Sequence, residues 1–129
     1  MWMYTKDGFF SAVQDRGDDG RILVRSRIKE DIEKLASYLD EARPDNKHEI
    51  LVTPDGDYGF RMSVLRAEWK CYLHESVSDL DYFNFKSEVH GEPDRDQAYM
   101  QVWSAMNDLQ HGRLAVKTEA EYIGGKRIG

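Results

Sequence analysis

Cysteine is all but missing: Cys71 is the single one in 129 residues. One thiol closes no intrachain disulfide, which favours a reducing compartment. Set between Lys70 and Tyr72 in a helical pattern, it reads as a small packing residue. Long apolar runs are missing as well, and nothing approaches the roughly 20 residues that cross a bilayer. The opening Met1–Phe10 has no basic stretch followed by an apolar one, so no signal peptide is expected. These absences make a cytoplasmic (cytosolic) location without membrane partners the expectation. Basic charge is scarce: 18 Lys and Arg face 24 Asp and Glu, for a formal net charge of −6. That balance argues against non-specific nucleic-acid binding, which needs a basic footprint. Its plainest use is solubility.

Motifs that announce chemistry are missing too. His48, His74, His90 and His111 are not spaced as a helical or finger-type ligand set, so no metal is expected. Neither a phosphate-binding glycine loop nor a Gly-x-Ser-x-Gly elbow occurs, and no cofactor is implied. Gly124-Gly125-Lys126 has no strand before it and no helix after it. Asp15, Asp18 and Asp19 sit in a Gly-rich turn without the ligand order of a calcium loop.

What is present is a foldable pattern. Aromatic residues make up 12% of the chain, more than a disordered segment carries. At this length a chain buries roughly two-thirds of its unfolded surface. Met1–Thr5 and Phe9–Gln14 flank Asp7-Gly8, a hairpin signal, and Arg21–Arg27 reads as a third strand. Ile28, Ile32, Leu35 and Leu39 then fall on one helical face, and Arg43-Pro44 ends that helix. His48–Thr53 and Gly59–Leu65 read as a second strand pair around the Pro54–Asp57 turn. Helices are expected at Arg66–Val77, within Asp81–Val89, and at Asp96–His111, with Gly112 beyond the last. Tyr99, Val102, Trp103, Met106 and Leu109 stripe the last helix. The expected fold is α+β: an antiparallel sheet of about five strands (βββ-α-ββ-α-α) with helices on one face. It forms a single domain over residues 1–112, with 113–129 a loosely held tail.

Two constellations deserve testing on these grounds. By strand alternation Arg25, Arg27, Arg61 and Ser63 lie on the face away from the helices, joined by Tyr4 or Phe10 according to register. Rings and guanidinium groups on a sheet are one way to hold a nucleotide or a single strand of nucleic acid, and cross-strand charge pairing is the structural alternative. The second lies in Ser78–Lys86. If Asp81–Val89 is helical, Tyr82 and Lys86 stand one turn apart, with Asn84 as a donor beside them. Asp57, Tyr58 and Arg61 form a comparable set in the second hairpin. The structural alternative has Leu80 and Phe83 plugging the core.

The segments Met1–Val13, Asp81–Ser87 and Tyr99–Met106 together resemble a family of small, uncharacterised bacterial and phage proteins. The resemblance implies a bacterial or prophage origin and no catalytic residue. Three functional classes follow. The first is an interaction or regulatory module whose partner is another protein or a second copy, with Tyr82, Phe83, Phe85 and Tyr99 as a patch. The second is a nucleotide or nucleic-acid binder using the arginine face. The third is a small enzyme using Tyr82, Lys86 and Arg61.

Overall fold

A computed structural model describes residues 1–45 and 47–113. The chain divides into two compact units, Met1–Phe85 and the segment from Lys86 onward. The first contains β1 (Trp2–Thr5), β2 (Gly8–Asp15), β3 (Asp18–Ser26), α1 (Lys29–Ala42), β4 (Leu51–Val52), β5 (Phe60–Leu65) and α2 (Arg66–Ser78). The five strands form one antiparallel sheet in the order β1-β2-β3-β5-β4. Hairpins join β1 to β2, β2 to β3 and β4 to β5, while the connection through α1 carries the chain past β5's place to the edge. The fold is therefore α+β.

Register decides the two faces, because residues directly opposite each other in antiparallel strands share a face. Ala12 pairs Val24, and Val24 pairs Met62; Ile22 pairs Val64; Phe10 pairs Met3. These residues form the core with Ile32, Leu35, Ala36 and Leu39 of α1 and Trp69 of α2. Val24, Ile32, Met62 and Val64 are wholly buried. The other face carries a row that crosses every strand: Trp2 opposite Ser11, Ser11 opposite Arg25, Arg25 opposite Arg61, and Arg61 opposite Leu51.

Gly8 ties the first hairpin to α1. Its φ is +151°, which side-chain-bearing residues rarely adopt, and a Cβ there would meet Asp31 Cγ at 2.6 Å. Asp31, in the first turn of α1, accepts the backbone N–H of Phe9 at 3.2 Å.

The strand readings need adjustment at their ends. The segment expected to be extended from His48 to Thr53 is a strand only at Leu51–Val52. His48 is withdrawn from the ladder because its ring and its backbone N–H both bond to Asp40 of α1. Ile28 precedes α1 and is 47% exposed, so it is not part of the buried stripe. Cys71 is exposed rather than buried.

The second unit holds most of α3 (Phe85–Val89) and all of α4 (Pro93–Gln110). Pro93 starts α4, where its missing N–H costs nothing. Gly112, at φ +67°, follows the His111 cap in the left-handed conformation expected of C′. Of the expected tail, 113–129, only Arg113 lies within the described residues. Among the described residues, no helix is long and apolar enough to cross a membrane.

Candidate functional site

The arginine face exists, but its cations are engaged within the fold. The Arg25 guanidinium donates to Ser11 Oγ at 2.7 Å and lies 4.7 Å from the centroid of the Tyr58 ring. Arg27 covers the same ring at 4.2 Å and donates to the carbonyl of Asp57. Arg61 donates to the Asp57 carboxylate at 3.1 Å and to Thr53 Oγ1 at 3.4 Å. Asp57, Tyr58, Arg25, Arg27 and Arg61 thus form one cluster, with the Thr53–Gly59 loop folded so that Tyr58 is buried under two cations. Each such contact is worth about 0.5–2 kcal/mol. The Nε atom of Arg25 is buried with no hydrogen-bond partner among the described residues.

A second polar row runs beside it. Arg21 Nε donates to Ser63 Oγ at 2.9 Å, and Ser63 donates to Asp15 at 2.8 Å. Asp15 also accepts the Gly17 N–H at 2.9 Å. These bonds, Gly17 first and Ser63 next, hold the Asp15 carboxyl below its ordinary range. The acidic turn is built in the same way at Asp18, which accepts the Gly20 N–H.

What the face leaves open is apolar. Trp2 is 68% exposed, Tyr4 37%, and Val13 and Leu51 are exposed with them. Tyr4 and Phe9 pack at 4.6 Å between centroids, and Trp2 meets Phe9 edge-on at 6.4 Å. Of the two alternatives weighed for this face, Tyr4 is the one found there; Phe10 is in the core.

The Ser78–Lys86 stretch comes apart. α3 starts at Phe85, so Tyr82 and Asn84 precede the helix, and the one-turn spacing to Lys86 does not apply. Tyr82 lines a cavity with Met3, Leu35 and Tyr38, and packs on Phe85 at 6.2 Å. Arg61 lies on β5, three strand spacings from β1, or about 14 Å. Tyr82 and Arg61 are therefore not brought together. Asn84 is exposed, while Lys86 holds its ammonium 4.7 Å from the centroid of Trp103. Leu80 and Phe83 do not plug the core: they are exposed, Phe83 completely. Tyr99 is buried, and Arg95 donates to its hydroxyl at 3.1 Å, so it leaves the aromatic patch. The rest of the α4 stripe is open, with Trp103, Met106 and Leu109 each more than half exposed.

The pattern search missed the polar cluster at His48. Its side chain is 2% exposed, with Nδ1 2.8 Å from Asp40 and Nε2 2.7 Å from the equally buried Glu68. Glu68 also accepts the Leu65 N–H at 2.8 Å and so caps α2. The bond from His48 is the leading cause that holds the Asp40 carboxyl below its ordinary range. No sequence spacing links residues 40, 48 and 68; the available signal was a histidine beside a helix stop. The two carboxylates bind opposite sides of the ring and do not converge. Among the described residues, no group of three or more His, Cys, Asp or Glu is arranged to hold a metal ion.

Comparison with family models, with curated proteins and with solved structures finds no match for this chain.

Proposed function

We propose that this chain is a small cytosolic interaction module, of bacterial or phage type, that works by binding protein surfaces, with a second copy of itself as the partner. One observation carries this reading. Two of the three tryptophans are on the surface, Trp2 at 68% and Trp103 at 52%, one in each unit. Trp is costly to leave in water, and it is the residue most enriched at binding hot spots. Each has apolar company: Tyr4 and Phe9 beside Trp2, Met106 and Leu109 one and two turns beyond Trp103. The partner is a second copy because each unit leaves a tryptophan with apolar neighbours on its surface. Such surfaces are self-complementary under a two-fold axis, the commonest symmetry of soluble assemblies. The test is the mass in solution, with and without each exposed tryptophan.

A second reading, a binder of nucleotides or single-stranded nucleic acid, draws support from Arg27, exposed above Tyr58 on the sheet that also bears Trp2. The engagement of Arg21, Arg25 and Arg61 and the net charge of −6 favour the protein partner. A fluorescent oligonucleotide bound at low salt, released at high salt and lost in Arg27→Ala would favour the nucleic acid instead.

A further inference from the structure

We propose that the cavity beside β1 is a binding site for an organic cation carrying a primary or methylated ammonium group. It encloses about 620 Å3, a volume typical of small-molecule sites, and belongs entirely to the first unit. Met3, Leu35 and Leu73 supply apolar walls, and Tyr38 and Tyr72 form a corner. The two rings are 5.4 Å apart at 72°, two aromatic surfaces meeting nearly at a right angle. Tyr72 is fixed from behind, stacked on Trp69 at 5.4 Å and edge-on to Phe10 at 6.1 Å. A rigid aromatic corner is suited to a cation that carries apolar substituents.

The charge around it has one sign in excess. Asp7, Asp31, Glu75 and Asp79 line the cavity against Lys6 and Lys34. Glu75 and Asp79 stand one turn apart at the carbonyl end of α2, and the last turn of that helix has no basic residue. Two like charges at this spacing repel, and both oppose the helix dipole. A bound cation would relieve both. The tyrosines lie in the same field. Tyr38 is pushed up to about 12 by burial first, then by Cys71, Glu75 and Asp79. Tyr72 is pushed up to about 12 by burial first, with Asp7 and Asp31 adding to it. The carboxylates surround the space rather than converge on a point, which suits a diffuse organic charge better than a metal ion. An anionic ligand would meet four carboxylates, and a neutral one would gain nothing from them. Trp2 does not line this site.

The test uses the full chain, isotope-labelled, titrated with choline chloride against a sodium chloride control at equal ionic strength. Saturable shifts are expected at the amides of Tyr38, Tyr72, Leu73 and Ser76. The neutral isostere 3,3-dimethylbutan-1-ol should bind about tenfold more weakly, the range of a partly desolvated cation–π contact. The double variant Glu75→Gln/Asp79→Asn changes two exposed side chains, so it should keep a folded spectrum while its affinity for choline falls about tenfold. No saturable shift with choline, equal affinity for the isostere, or an unchanged double variant would each overturn the proposal.

Discussion

Glu68 Oε2 lies 2.7 Å from His48 Nε2, and the other oxygen of the same carboxylate accepts the backbone N–H of Leu65. Because Nδ1 of that ring meets Asp40, one side chain bridges α1 to the start of α2. Removing the ring leaves Glu68 buried with one partner fewer. His48→Ala should therefore lower stability by about 2–4 kcal/mol in urea denaturation. His48→Gln, which can donate to only one of the two carboxylates, should recover part of that loss. A His48→Ala change below about 0.5 kcal/mol would show that the bridge is dispensable.

Gly8 should prove intolerant for two separate reasons. Its φ of +151° strains any side chain, and the space a Cβ needs is filled by Asp31. Gly8→Ala should cost about 2–4 kcal/mol in thermal or chemical unfolding, more than an exposed hairpin glycine. Asp31→Ala in the same background opens the space but keeps the backbone strain. The double variant should therefore be less destabilised than the sum of the two single changes.

Acid and alkali should each remove stability through named groups. The carboxyls of Asp40 and Asp15 are held below the ordinary value of 3.8 in the folded chain. Their contribution is complete above that value and is lost as pH falls below it, because the unfolded chain then binds protons first. Tyr38 and Tyr72 are pushed the other way, from 10.0 to about 12. Their contribution is complete below 10 and is lost as pH rises between 10 and 12. Denaturation midpoints followed across pH should fall at both ends. Asp40→Asn should flatten the acid limb, and Tyr72→Phe the alkaline one.

Much of the fold was legible because it rests on local rules. Alternation in β3 and β5 put Ile22, Val24, Met62 and Val64 in the core. Asp7-Gly8 and Pro54–Asp57 made the turns, and Ile32, Leu35 and Leu39 marked the buried side of α1. The strand order was not legible, since nothing local says that β3 pairs with β5 rather than β4. The arginine face was visible as alternation, but not the loop that brings Tyr58 over Arg25 and Arg27. That loop is a tertiary event, as is the meeting of Asp40, His48 and Glu68. The aromatic connector misled for a related reason. Ring content alone does not distinguish a buried plug from an exposed anchor, and Phe83 is fully exposed.

Sedimentation velocity over a wide concentration range tests the central claim most directly. The account predicts a mass above the 15.0 kDa of one chain that rises with concentration, and a return toward the monomer in Trp2→Ser, Trp103→Ser or both. A single 15.0 kDa species at every concentration, unchanged by either substitution, would contradict it.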